Sequence, residues 1–427
     1  MKVLVINYYY APVVDAHAYR WSQLAPYFAL QGHQVEVITG RVNGLKGQDN
    51  QDGVSVTRVG LRAHTLSEGL VGTFGAAHQD VQHPLIRLKT KMSSRCRNIY
   101  RKLYWPDGLW HWLPSLAMEL WKRRDKKYDL IVSYSPGFVA HLGAYLSMSM
   151  WKHRFKWIAD YGDPFSTSET MQPNNFRVYR RLNTLVEDKI LKAAQLVVFT
   201  NEATRQAYAR SFLIEEKLRV LPHLVDVRAF YAGDRSLQNL NPDSINRLQL
   251  VYVGGFHKGV RVPDGIKLLA DLLKVHLPFE FDIHVYGPDN GFDLANLLPG
   301  VIHYHGPVLR ERAIEIMKSA HGLINVENTD CVMSPSKIVE YVGTGRPIIN
   351  IRGNGVPSIV LDKYERLGFV ISVPPDRSRI DVSKLVRFVM GVVNLQATYA
   401  EVAEVLVENS IQAVAHEYLG VIRGCDA

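Results

Sequence analysis

The sequence predicts an α/β protein of two doubly wound, parallel-sheet domains facing a central cleft. Three observations carry that expectation. Short aliphatic runs alternate with helical stretches along most of the chain, the pattern of strands joined by crossover helices. A polar stretch at 232–247, AGDRSLQNLNPDSINR, interrupts the alternation and reads as a linker. The alternation then restarts, and 427 residues exceed one ordinary core but suit two domains. The expected divisions are 1–231 and 248–400.

In order, the first half offers Lys2–Asn7, Gln34–Thr39, Val54–Val59, Asp129–Tyr134, Phe155–Asp160 and Leu196–Thr200 as strands, each built on a run such as VLVI, VSVTRV or LVVF. Helices are expected at Ala16–Leu30, Pro114–Arg124, Val139–Trp151 and Phe176–Lys192. After the linker come a strand at Leu248–Val253 ending in Gly254-Gly255, a helix at Pro263–Val275, and strands at Phe281–Tyr286 and Val301–Tyr304. A helix at Arg310–Ala320 and strands at Leu323–Val326, Pro347–Ile351 and Phe369–Val373 follow. Thr398–Arg423 reads as one long helix. Ligands of such sheets sit outside the carboxyl ends of the strands, so functional residues are sought just after strands.

The segment SPSKIVEYVGTGRPIINI, 334–351, reads as a loop, a short helix, a turn and a buried strand. Pro335 suits the first helical turn, and Ser334 or Ser336 suits a cap, so free amides and the positive dipole end meet at one place. Lys337 adds a cation, while Glu340 puts a carboxylate beside this anion pocket. A ligand with phosphates at one end and sugar hydroxyls at the other, such as a nucleotide-sugar, satisfies both. Ordinary helix capping and turn chemistry explain the same letters, and the rest of the chain must decide.

The net charge of +9 is concentrated. Between positions 85 and 127 stand Arg87, Lys89, Lys91, Arg95, Arg97, Arg101, Lys102, Lys122, Arg123, Arg124, Lys126 and Lys127, opposed by Asp107, Glu119 and Asp125. Trp105, Trp110, Trp112 and Trp121 are interleaved. Basic residues with aromatic anchors suit an anionic membrane surface, and a solvated helical face with inward tryptophans is the competing account. No nucleic-acid motif accompanies the charge, so nucleic acid is not expected as a partner. The scattered Cys96, Cys331 and Cys425 point to a reducing compartment. With an N-terminal strand in place of a signal peptide and no 18-residue apolar run, the expectation is a cytoplasmic protein, peripheral on the inner face of the membrane. No dinucleotide fingerprint follows the first strand, no P-loop occurs, and His303-x-His305 lacks a third ligand and reads as structural. Neither a metal nor a cofactor is therefore expected.

Taken together, the motifs resemble a family. The segment at 334–346 is similar to the Pro-Ser-Lys-x-x-Glu-Tyr-x-x-x-Gly-x-Pro signature of family-four retaining glycosyltransferases with the GT-B fold, which pairs two Rossmann-like domains. WPDGLWHWLP at 105–114, SYSPGFVAHLGAYL at 133–146, WIADYGDPFS at 157–166 and LVEDKILKAAQLVVFTNEATRQAY at 185–208 look like the bacterial polysaccharide-biosynthesis branch. VIHYHGPVLRERA at 301–313 matches the nucleotide-side strand, loop and helix.

The resemblance implies a metal-independent hexosyl- or related sugar transferase. It would move a sugar from a nucleotide-sugar donor to a glycan or lipid-linked acceptor, with retention of configuration. The implied donor residues are Glu340 for the ribose, Ser334, Pro335, Ser336 and Lys337 for the pyrophosphate, Gly254 and Gly255 for close backbone approach, and Val308 for the base. Lys258, with His257 or Arg261, would stabilise the leaving diphosphate. His17 and Arg20 would face the acceptor, and Asp163 or His141 would orient or deprotonate its hydroxyl. The closing helix, about 405–427, would pack back on the first domain. Two departures stand out: Val332 occupies the place of the family's first glutamate, with Glu327 out of register, and Phe256 stands where an arginine is usual. They motivate the alternative expectation, a catalytically weak GT-B module acting as a partner in a polysaccharide assembly complex.

Overall fold

A computed structural model gives the structure of this chain and describes residues 1–13, 15–61, 103–168, 170, 172–233, 247–333 and 335–424. The chain forms two compact units. One gathers the described residues up to Pro222 together with the chain from Val414 onward; the other runs from His223 to Ala413. Most of the expected linker, 234–246, lies outside the described residues, as do Arg87 to Lys102 of the basic stretch.

The first unit holds strands β1 (Lys2–Ile6), β2 (Gln34–Gly40), β3 (Gln48–Gln51), β4 (Val54–Val59), β5 (Leu130–Ser135), β6 (Lys156–Tyr161), β7 (Leu196–Phe199) and β8 (Leu218–Val220). Their order is β3-β4-β2-β1-β5-β6-β7-β8, and every pair is parallel except β3 with β4. Because β1 pairs with β2 on one side and β5 on the other, the winding reverses between β1 and β5. Helices Leu113–Lys122, Val139–Met150, Phe176–Ala193 and Glu202–Ser211 pack Leu116, Leu120, Val139, Ile190 and Tyr208 into one core with Leu4, Ile131 and Val197. Each such side chain contributes about 1.5–3 kcal/mol on burial.

The second unit is a six-stranded parallel sheet of β9 (Leu248–Val253), β10 (Phe281–Tyr286), β11 (Ile302–Gly306), β12 (Gly322–Val326), β13 (Ile348–Ile351) and β14 (Val370–Val373), in the order β11-β10-β9-β12-β13-β14. On β9, Leu248, Leu250 and Tyr252 enter one core cluster while Val251 and Val253 enter another. That is why the strand reads as a continuous apolar run: a parallel sheet is covered on both faces. The winding reverses between β9 and β12, so the carboxyl ends of these two strands flank a crevice where ligands of such sheets bind.

One expected element is wrong. The closing segment is not a single helix but Tyr399–Val405, a 3₁₀ turn at Val407–Asn409, and Ile411–Gly424. The amides of Asn409 and Ser410 close 3₁₀-type bonds to Leu406 and Val407, and the Ser410 hydroxyl caps the next helix through the Ala413 amide. Apolar periodicity persists across this break, which hides it from pattern reading. Helices Glu202–Ser211, Val227–Phe230, Ile359–Arg366 and Val382–Gly391, and strands β3 and β8, were not anticipated.

Candidate functional site

In the second unit the chain leaves β9 through Gly254 and Gly255 and makes a tight turn. His257 and Arg261 exchange backbone hydrogen bonds of 2.8 Å in both directions, and Gly259 supplies the left-handed residue at φ +75°. The turn presents Lys258 to solvent, and among the described residues Lys258 forms no ion pair. A Cβ at Gly287 would stand 2.2 Å from the Gly254 carbonyl oxygen, so close approach of backbone to backbone shapes this corner. The Arg261 guanidinium reaches across the reversal and donates from Nη2 (2.7 Å) and Nε (3.1 Å) to Asn328 Oδ1, just beyond β12. Arg261 is therefore held in place. Burial, with Arg261 beside it, lowers the His257 pKa.

Helix Lys337–Gly343 lies next to this corner. The Tyr341 hydroxyl donates to the Val253 carbonyl (3.0 Å) and accepts from the Val253 amide (2.7 Å), tying the helix to the end of β9. Glu340 is buried, with Arg310 Nη2 at 2.7 Å from Oε1 and Lys337 Nζ at 2.7 Å from Oε2. Burial works to raise the Glu340 pKa, and the two cations more than offset it, holding the carboxyl below its usual value. Lys337 donates a hydrogen bond to Oε2, and an ionised carboxylate is acceptor-only, so further donors to it must come from hydroxyls or amides.

Other details of the expected pocket differ. Ser336 makes no side-chain cap, and the helix begins at Lys337, after Pro335. Ser334 lies outside the described residues. Glu327, the out-of-register carboxylate, accepts from Asn350 Nδ2 (2.7 Å) and the Gly353 amide (3.1 Å), a loop-holding role. Val308 packs partly buried against the core beneath the loop after β11. Phe256 is fully buried, stacked on Tyr252 at 4.7 Å, so its position is structural. His303 is bonded to Asp282 (2.9 Å) and His305 to His284 (2.9 Å), and no metal-holding group occurs among the described residues.

In the first unit Asp163 follows β6 and His17 opens helix Ala16–Leu30, with His17 Nε2 4.0 Å from Asp163 Oδ2. Asp163 keeps 31% of its side-chain surface exposed, yet crowding by protein raises its pKa; His17 opposes that shift and Asp15 adds to it. A carboxylate with a raised pKa, partly open to solvent beside an imidazole, is equipped to accept or hold a hydroxyl proton.

Two expected acceptor-side residues are corrected. Arg20 is sequestered. It donates to Asp160 (3.1 Å), to the carbonyls of Leu221 (3.1 Å) and Pro222 (2.7 Å), and to the Tyr418 hydroxyl (3.0 Å). Asp160 also accepts from Trp21 (2.9 Å) and Tyr418 (2.6 Å). Every Arg20 nitrogen is committed to structure, and local sequence around Arg20 cannot reveal partners 140 to 398 residues away. His141 is fully buried between Phe138 and Tyr161, with Nδ1 2.7 Å from the Ser133 hydroxyl, and burial pushes its pKa down to about 3. Its ring is closed off from solvent, and Nε2 has no hydrogen-bond partner among the described residues.

Sequence reading missed Arg310 and Asn328. The first is the basic residue opening the helix after β11, and its only signal is that it follows a strand-loop at the ligand end of the sheet. Asn328 carries no signal of its own, since its role depends on Arg261 across the reversal.

Residues 16–223 match the family model described as glycosyl transferase 4-like domain. Among curated protein sequences none matches this chain. Sucrose-phosphate synthase from Thermosynechococcus elongatus is similar in structure, with a TM-score of 0.67 and 15% identity, over 100% of this chain and 99% of that one. HepE from Anabaena, solved with UDP-glucose, gives 0.57 at 13% identity over 99% and 100% of the two chains. WaaG, a glycosyltransferase of lipopolysaccharide biosynthesis, gives 0.57 at 12% identity over 99% and 100%. Likeness at these identities speaks to the fold. Residues 16–223 thus match a glycosyl transferase 4-like domain, and the chain has the GT-B fold of glycosyltransferases.

Proposed function

We propose that the protein is a retaining, metal-independent glycosyltransferase that moves a sugar, a hexosyl or related group, from a nucleotide-sugar to a glycan or lipid-linked acceptor in bacterial polysaccharide biosynthesis. The observation that carries this reading is the grouping at the β9/β12 reversal: an exposed Lys258, without an ion pair among the described residues, on the glycine turn after β9, and the Glu340 carboxylate on the helix that Tyr341 ties to the end of β9. Lys258 neutralises the departing diphosphate as the anomeric C–O bond breaks, where a preorganised cation has its largest effect. Glu340 accepts the ribose hydroxyls, with Arg310 and Lys337 holding it ionised. On the first unit Asp163 orients the acceptor hydroxyl with His17 beside it, and the leaving phosphate takes the proton. The solved HepE complex with UDP-glucose makes a uridine donor the first to try.

The test is release of nucleoside diphosphate from UDP-, GDP- and ADP-sugars, with and without a glycan acceptor. Slow release that falls about 100-fold in Lys258→Ala supports the assignment. Absence of release from every donor, by a folded protein, favours the alternative of a non-catalytic partner module, for which Val332 and Phe256 speak.

The reading includes a peripheral, cytoplasmic-face membrane contact through helix Leu113–Lys122. Met118 (62% exposed), Trp121 (53%) and Lys122 project from it, and the Arg124 guanidinium lies 4.0 Å from the Trp121 ring. Arg123 does not join them: it is buried, 2.7 Å from Glu36 and 2.9 Å from Glu119. Trp112 and Trp105 also turn inward, donating to the Val59 carbonyl and to Asn183. No helix among the described residues is long and apolar enough to cross a membrane.

A further inference from the structure

Helix Phe176–Ala193 carries a buried carboxyl that the reading above leaves unused. Glu187 is fully enclosed, and among the described residues it has no cation. Its partners are the Ser166 amide, which donates to Oε2 at 3.0 Å, and the Tyr208 hydroxyl, which donates to Oε1 at 2.8 Å. The Tyr208 oxygen in turn accepts from the Phe165 amide at 2.9 Å. The Tyr161 hydroxyl also faces the carboxyl. Two consecutive backbone amides, at 165 and 166, are thereby fixed by one side chain and its tyrosine, two residues after Asp163.

The rest of that loop is held as tightly. The Gly162 amide donates to the Ser135 carbonyl at 2.6 Å, and the Phe165 ring stacks on Phe138 with centroids 3.6 Å apart. Gly162 closes one end of the loop on β5; Glu187 closes the other on two helices. Asp163 and Pro164 span the gap between these anchors.

A carboxyl without a cation is an expensive way to fill a core, since an apolar side chain of similar size packs there at no desolvation cost. What an apolar residue cannot do is accept the Ser166 amide and the Tyr208 hydroxyl together. We infer that Glu187 is a positioning residue for the acceptor side of the site, setting the direction of the Asp163 carboxylate through the Tyr208 hydroxyl and the 165–166 amides. This rests on the acceptor-side reading of Asp163. Burial pushes the Glu187 pKa up to about 7, so a neutral side chain with the same acceptor oxygen is a close stand-in for it. Glutamine offers Oε1 to the Ser166 amide and an N–H to the Tyr208 oxygen, and leucine offers neither.

The experiment compares Glu187→Gln, Glu187→Leu and Tyr208→Phe in the full chain. It records kcat and acceptor KM, the shift in melting temperature caused by the nucleoside diphosphate, and amide hydrogen exchange across residues 162–168. A misdirected Asp163 should reduce kcat over acceptor KM by about 10- to 100-fold in the leucine variant, with glutamine within about threefold of the parent. The diphosphate shift should be unchanged in all three, because it reads the other unit. Exchange should rise at 166 in the leucine variant and at 165 in the phenylalanine variant, and stay low at both with glutamine. Equal loss with glutamine and leucine overturns the inference, as does protected exchange in the leucine variant. If the parent protein has no transferase activity but the exchange pattern follows this order, the loop assignment stands and the function proposed for Asp163 fails.

Discussion

Glu340 is a carboxylate pinned by two cations at 2.7 Å, and that local arrangement fixes what a substitution does. Glu340→Gln keeps the shape but weakens charge-assisted acceptance of hydroxyls, a loss of about 1.5–3 kcal/mol. Donor KM should rise by about 10- to 100-fold, with acceptor KM unmoved. Steady-state kinetics with both substrates varied checks this. Arg20 behaves differently, since its partner Asp160 lies in the core. Asp160→Ala strands a buried guanidinium, and denaturant unfolding should register a cost of about 3–5 kcal/mol. At this scale the sequence was legible where a residue acts through local spacing, as with Lys337 and Glu340 one helical turn apart. It was opaque where partners converge from afar. Nothing around Arg20 announces Tyr418, and nothing around Arg123 announces Glu36, so a candidate contact residue turned out in each case to be a structural ion pair.

The strands Val54–Val59, Leu248–Val253 and Phe281–Tyr286 agree to the residue with the sequence reading: LQLVYV is a near-continuous apolar run covered on both faces, while VSVTRV and FDIHVY alternate with a period of two. Strand β3 escaped since QDNQ has no apolar face at all. Its signal was the Asp52-Gly53 pair, which turns with φ of 50° and 80° and sets up an antiparallel hairpin with β4. The helix carrying Glu187 was equally legible in outline, and its buried carboxyl was not. Glu187 holds a folded-state pKa raised by burial to about 7, above the ordinary 4.5. Such a group adds its full stability below about pH 4.5 and loses it as pH rises through about 7. Glu187→Gln removes that dependence, so the parent should lose stability relative to the variant between pH 5 and pH 8, by at most about 3 kcal/mol. Paired urea titrations at the two pH values check it; a difference that does not change with pH contradicts it.

At the scale of the whole molecule, the two-unit architecture and the parallel sheets were readable from alternation alone. The place where each sheet reverses its winding was not, because strand order is a long-range property. Those reversals are what turn Gly254, Lys258 and Asn328 into neighbours of one crevice. Charge also acts at this scale. If the outer face of Leu113–Lys122 meets anionic lipid, neutralising Lys122 and Arg124 should weaken liposome binding by about 1 kcal/mol per charge, near 30-fold for the pair. Neutralising Arg123 instead should destabilise the fold through Glu36 and Glu119. Unchanged liposome binding in the Lys122 and Arg124 variant ends the membrane reading.

The central claim, that the β9/β12 corner binds a nucleotide-sugar, is tested most directly by thermal unfolding of the full chain against UDP-, GDP- and ADP-sugars and their free diphosphates. A ligand at about 100 times its Kd adds about 2.7 kcal/mol to the folded state, enough to raise the melting temperature by several degrees. The account predicts that one nucleotide series raises it and that Glu340→Gln and Lys258→Ala each diminish the rise. A melting temperature that no nucleotide diphosphate or nucleotide-sugar moves, at millimolar concentration, contradicts it.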